Sequence, residues 1–128
     1  MKNSWIFFFL FSTAPVFASA SHPQVCGLMN RILNGMSVVA SNLSNVNTTR
    51  TPEGGPYLVR ELICMAENCE IQQQDKVKIV YEPTHLDADS NGYVAYPDID
   101  VTDEIAQMQM LVQIYEKVDE VCHVYMVH

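Results

Sequence analysis

Cations are scarce in this chain: seven Lys and Arg stand against fifteen Asp and Glu, a formal net charge of −8 at pH 7. Nucleic acid and anionic membrane surfaces need clustered cations to displace their counterions, so this balance argues against both and favours a protein partner. Catalytic signatures are missing as well. There is no Gly-x-Ser-x-Gly elbow, no phosphate-cradling glycine loop and no His-Glu-x-x-His pair, which leaves nothing to motivate a hydrolase, a nucleotide-binding protein or a metalloprotease. His22, His85, His123 and His128 follow no catalytic pattern. The chain shows no internal repeat, low-complexity tract or second domain, and nothing in it implies a cofactor or a small-molecule substrate.

Long apolar runs are confined to the start. Residues 1–20 carry one cation, Lys2, then an apolar run from Trp5 to Leu10 that continues through Phe17, and close on Ala18-Ser19-Ala20. This is the layout of a secretory signal peptide cleaved after Ala20, and the run falls short of the roughly 20 apolar residues that a spanning helix needs. The expected mature chain, residues 21–128, keeps six Lys or Arg once Lys2 is removed and all fifteen acids, a formal charge of −9. A domain of that size buries a small core and needs staples or neighbours. Cys26, Cys64, Cys69 and Cys122 all lie beyond the cleavage point. In a chain bound for an oxidising compartment they predict two disulfides.

Periodicity predicts the frame. Val25, Met29, Ile32, Met36, Val39 and Leu43 step by four and three, an amphipathic helix over 25–43 that Gly27 and Gly35 each weaken by about 1 kcal/mol relative to Ala. Asn45 to Pro56 reads as an exposed connection, and Tyr57–Cys64, Val77–Tyr81 and Tyr93–Tyr96 as half-buried antiparallel strands. Asp100 or Thr102 can cap a closing helix over 102–126, with Asp103 and Glu104 in its first turn and a seam of Met108, Leu111, Tyr115, Val118, Cys122 and Tyr125. The fold class is therefore α+β: an antiparallel pair of terminal helices flanking a small antiparallel β insert over 57–97.

If Cys26 lies beside Cys122, moving sixteen residues inward from each reaches Asn42 and Ala106, near the inner ends of both helices, so the antiparallel register closes. Cys64 and Cys69 are separated by Met-Ala-Glu-Asn, which a hairpin can close. The expected bonds are Cys26–Cys122, which would stabilise by about 4–5 kcal/mol through loop entropy, and Cys64–Cys69, which would contribute less. Two metal readings compete with blander ones. Asp87-x-Asp89-x-Asn91-Gly92 resembles the opening of a calcium loop with Asp98 at its twelfth position, but Pro97 and the strand at Tyr93 favour a polar turn. The Cys and His spacings lack the tight pairs of a structural zinc site.

Two segments carry a resemblance. Val39-Ala-Ser-Asn-Leu-Ser-Asn-Val-Asn-Thr48 holds Ser41, Asn42, Leu43 and Asn45, and Val80 to Asp100 holds Tyr81-Glu82-Pro83, Gly92-Tyr93-Val94 and Pro97-Asp98-Ile99. Together they resemble the flagellar basal-body rod proteins, most closely the proximal-rod type. The resemblance implies a filament subunit rather than an enzyme, with terminal helices building an inner tube and a small β domain outside. Its implied partners are other rod subunits, and its implied assembly seam is Val25, Met29, Ile32, Met36, Val39 and Leu43 with Met108, Leu111, Tyr115 and Val118. Family members normally leave through the flagellum's own export channel, whereas the apparent signal and the cysteines here imply passage through the periplasm. Where the family carries an Arg-x-Tyr-x-x-Asn run, this chain keeps only Tyr115. The alternative reading is a disulfide-stabilised periplasmic adaptor or binding domain derived from the rod fold.

Overall fold

A computed structural model describes residues 22–127. The signal-peptide expectation for residues 1–20 lies outside them. In chain order the elements are α1 (His22–Ser44), β1 (Val59–Met65), β2 (Asn68–Gln74), β3 (Val77–Tyr81), β4 (Tyr93–Pro97) and α2 (Val101–Met126). The α+β expectation therefore holds, with both helices at the ends of the described chain and all the strands between them.

The two helices meet through their apolar stripes. Ile32, Val118 and Cys122 are buried at the centre of this contact, with Val25, Cys26, Met29, Met36, Leu111 and Tyr115 packed around them. Contact between residues near the start of α1 and the end of α2 is what antiparallel packing requires. Further along, a Cβ added at Gly35 would lie 3.3 Å from Leu111 Cδ1, so glycine lets α2 and β1 come close to α1 at that point. Asp100 begins α2: its Oδ1 accepts from the backbone N–H groups of Thr102 (2.9 Å) and Asp103 (3.2 Å), satisfying two donors that a helix start leaves unpaired.

The strands form two separate two-stranded antiparallel sheets, β1 with β2 and β3 with β4. The sequence reading passed over β2. Its residues, Asn-Cys-Glu-Ile-Gln-Gln-Gln, are mostly polar and mostly exposed, and the alternation of Cys69 and Ile71 with polar neighbours stops at Gln72. The hairpin joining β1 to β2 is also tighter than the expected four-residue loop. Met65 pairs with Asn68 across a two-residue turn of Ala66 and Glu67, and Ala66 takes φ 54° to make it. A second small core forms where Tyr57, Val59 and Ile99 bury themselves against Val46. It fastens the chain leaving α1 to the chain entering α2.

Candidate functional site

Asn42, at the end of α1, is 1% exposed, and every hydrogen-bonding position of its amide is used. Its Nδ2 donates to the Arg60 carbonyl at 2.9 Å and to Glu104 Oε1 at 3.0 Å. Its Oδ1 accepts from the Arg60 N–H at 2.9 Å and from the Tyr57 hydroxyl at 3.1 Å. Because the Tyr57 proton is committed to Asn42, the 2.9 Å contact between Tyr57 and Ser41 Oγ has the serine as donor. One amide thus ties α1 to β1, to the connection before β1 and to the first turn of α2. Glu104 Oε2, by contrast, is buried with no hydrogen-bond partner among the described residues. Glu104 also lines an open cavity of about 410 Å³ with Gly35, Val39, Leu62 and Leu111, large enough to admit water to such a group.

The rest of the first motif closes the helix. Asn45 Nδ2 donates to the Ser41 carbonyl at 2.9 Å, Thr48 Oγ1 donates to Asn45 Oδ1 at 3.0 Å, and the Asn45 N–H reaches the Asn42 carbonyl at 3.1 Å. Side chains here satisfy carbonyls that a helix end leaves open. Leu43 is half-buried beside them.

The second motif folds into one hairpin. Tyr81 on β3 pairs with Tyr93 on β4, their rings meeting edge to face with centroids 5.2 Å apart. The Glu82 N–H donates to the Gly92 carbonyl at 2.9 Å. Gly92 has φ +85°, and a Cβ there would stand 2.9 Å from Tyr81 Cε2 and 3.0 Å from Pro83 Cβ, so glycine is required twice over. Tyr96 donates its hydroxyl to Glu82 Oε2 at 2.7 Å, and this bond raises the Tyr96 pKa above the usual phenol range. Pro97 is fully buried at the end of β4.

Between these strands the calcium-like run is a polar turn. Asp89 Oδ1 accepts from the backbone N–H groups of Asn91 (2.8 Å) and Tyr93 (2.9 Å). Asp87 Oδ2 accepts from Thr49 Oγ1 at 2.7 Å, while Asp87 Oδ1 pairs with the Arg50 guanidinium. The Thr49 hydrogen bond, aided by the Arg50 charge, holds the Asp87 carboxyl below its ordinary range. Asp87 thus uses both of its oxygens on the protein, and Asp89 uses one. Among the described residues no three His, Cys, Asp or Glu side chains gather as a metal site would require, and no helix is long and apolar enough to cross a membrane.

The cysteines divide. Cys64 and Cys69 face each other across the β1–β2 pair and are bonded. Cys26 and Cys122 are thiols here, and the expected second bond is not formed in this structure. The register brings the two residues into contact. A bond needs in addition a fixed approach of the two sulfurs and an oxidant to take the electrons. Instead, the hydrogen bond to Cys26, followed by burial, pushes the Cys122 thiol up to about 11.

The residues expected to form the assembly seam lie mostly within the helix pair. Ile32, Val39 and Val118 are buried, and Val25, Met29, Met36, Leu43, Met108, Leu111 and Tyr115 are half-buried. Most of this set packs into the contact between α1 and α2, so those stripes are used within the molecule. Periodicity identifies a stripe that something covers; it does not say whether the cover is the same chain or another. On α2 a different apolar set stays exposed: Met110, Ile114 and Val121 on one flank of the inner seam, Val101, Ile105 and Val112 on the other. Sequence reasoning missed these, and it also missed Tyr57 and Glu104 as partners of Asn42. Glu104 was read only as a charge suited to a helix start, and nothing local signals a contact 62 positions away.

Comparison with known proteins decides the family of the chain. The chain is 31% identical over 93 residues to the flagellar basal-body rod protein FlgC of Salmonella typhimurium, with 63% of this chain and 69% of that protein covered. It belongs to the FlgC rod-protein family. FlgC of Escherichia coli O157:H7 is 30% identical over 93 residues, covering 63% of this chain and 69% of that protein. FlgC of Borreliella burgdorferi is 26% identical over 110 residues, covering 63% of this chain and 72% of that protein. No protein-family model matches the chain. The structure gives a physical role to both motif segments, in the Asn42 node and in the Tyr81–Gly92 hairpin.

Proposed function

We propose that this chain is a structural component of the bacterial flagellar basal-body rod, contributing to flagellum assembly and motility rather than to catalysis. The carrying observation is its likeness to FlgC over 69% of the Salmonella protein's length. Its partners are other rod subunits, and neither nucleic acid, membrane nor small molecule is needed. The exposed stripes on α2 suit such a role. Apolar patches presented head to tail, without a closing rotation, generate helical filaments, and the inner seam is already occupied by α1.

In this reading residues 1–20 direct export and are removed, residues 21–128 form the rod-like domain, and the chain reaches the basal body through the periplasm. The run from Trp5 to Phe17 followed by Ala18-Ser19-Ala20 supports it. N-terminal sequencing of the exported chain is expected to begin at Ser21.

Deleting the gene, scoring swimming, and isolating basal bodies from a strain carrying a tagged copy test the function. Loss of rods on deletion, with the tagged chain recovered in basal bodies, is the expected result. Normal swimming with the chain soluble in the periplasm would overturn it in favour of an adaptor that keeps the rod fold without assembling.

A further inference from the structure

The contact between the chain's two helical ends contains a pair of groups that the rod role leaves without a task. Cys26, half-buried on α1, and Cys122, 5% exposed on α2, belong to the same apolar cluster, and they are hydrogen-bonded to each other. They are 96 positions apart in sequence, whereas Cys64 and Cys69 are five apart. Two thiols brought together by packed helices, in a chain that already holds one disulfide, form a site for covalent closure.

We propose that Cys26 and Cys122 are the site of a second, inter-helix disulfide, closed by exchange with an external disulfide and starting at Cys26. Cys26 is the more accessible of the two and meets the oxidant first. Its thiolate attacks one sulfur of the external disulfide, forming a mixed disulfide and releasing the other sulfur as a thiolate that takes up a proton. Cys122 then gives up its proton, and its sulfur attacks the Cys26 sulfur, expelling the oxidant's second sulfur as a thiol. Two electrons and two protons pass to the oxidant, and one S–S bond joins α1 to α2. Burial and the hydrogen bond suppress the Cys122 thiolate, which fits it to the second step, where the electrophile is already beside it.

The closure stabilises chiefly by restricting the unfolded chain, and the loop it closes is nearly the whole described domain. The protein would be clasped at the open end of the helix pair, opposite the Asn42 node that holds the inner end.

The test uses the intact chain, purified with the Cys64–Cys69 bond in place and treated with oxidised glutathione. Thiol titration in denaturant is expected to fall from two per chain to none, with no glutathione mass retained and a Cys26–Cys122 peptide recovered by non-reducing mapping. The melting temperature is expected to rise by about 10 °C or more. Cys122→Ser is expected to trap one glutathione on Cys26, and Cys26→Ser to react at Cys122 roughly tenfold more slowly or less. Retention of both thiols, covalent dimers, or stable glutathione on the unsubstituted chain would overturn the closure. Faster reaction of Cys26→Ser than of Cys122→Ser would overturn the order of attack. Because none of these readouts involves flagella, the result is independent of the rod assignment.

Discussion

Asn42 and Glu104 meet through a 3.0 Å hydrogen bond across 62 positions of sequence, joining the last turns of α1 to the first turn of α2. The bond is one of four made by a single buried amide, and the other three run to Arg60 and Tyr57. An apolar seam can slide by a turn at modest cost. A saturated amide cannot, because any shift leaves buried polar groups unpaired.

Replacing that amide is therefore expected to be costly. Asn42→Ala strands the Arg60 backbone groups and the Tyr57 hydroxyl in a buried setting and should lower stability by about 3 kcal/mol. Urea unfolding monitored by circular dichroism measures this. A loss below about 1 kcal/mol would mean that the node is not the lock described here.

The two glycines of α1 should behave differently. A Cβ at Gly27 meets nothing within 4 Å, so Gly27→Ala gains helix propensity freely and should stabilise by roughly 0.5–1 kcal/mol. At Gly35 the Leu111 side chain stands 3.3 Å from the added carbon, so Gly35→Ala should lose that gain to repacking and Gly35→Val should destabilise. Thermal melts of the three variants decide.

Gly92→Ala places a side chain in left-handed backbone against Tyr81 and Pro83. We expect a loss of about 2 kcal/mol or more, together with loosening of the β3–β4 hairpin. Hydrogen exchange at the Glu82 amide, which donates to the Gly92 carbonyl, should speed up in the variant.

Asp87 links stability to pH with a definite sign. Its carboxyl is held below its ordinary value in the fold, so its contribution is present above the unfolded pKa of about 3.9 and is lost as pH falls through the lower folded pKa. Between pH 6 and pH 2.5, urea midpoints of the unsubstituted chain should fall more steeply than those of Asp87→Asn. Parallel curves would show that the Thr49 and Arg50 contacts contribute nothing measurable.

Charge on the exposed flank of α2 should separate folding from assembly. Met110 and Ile114 are 55% and 37% exposed, so Met110→Glu with Ile114→Lys should leave the melting temperature within a few degrees of the parent. The same pair should abolish recovery of the chain in basal bodies and reduce swimming. Unchanged recovery would move the assembly surface elsewhere.

What could be read from the residues alone was whatever depends on local order. The three-and-four spacing of Val25 to Leu43 and of Met108 to Val118 marks two amphipathic helices, because side chains that far apart share a helix face whatever covers them. Asp100 two residues ahead of Thr102 marks a helix start for a similarly local reason, and the two motif segments pointed to the rod family. Tertiary structure decided everything that depends on which surfaces meet. It packed most of the seam residues into the contact between α1 and α2 and left Met110, Ile114 and Val121 exposed. It made a strand of Asn68–Gln74, whose mostly polar and exposed residues give only a short alternation at Cys69 and Ile71. It also gave Asn42 its four partners, since a buried amide's worth is set by groups that only folding brings within reach.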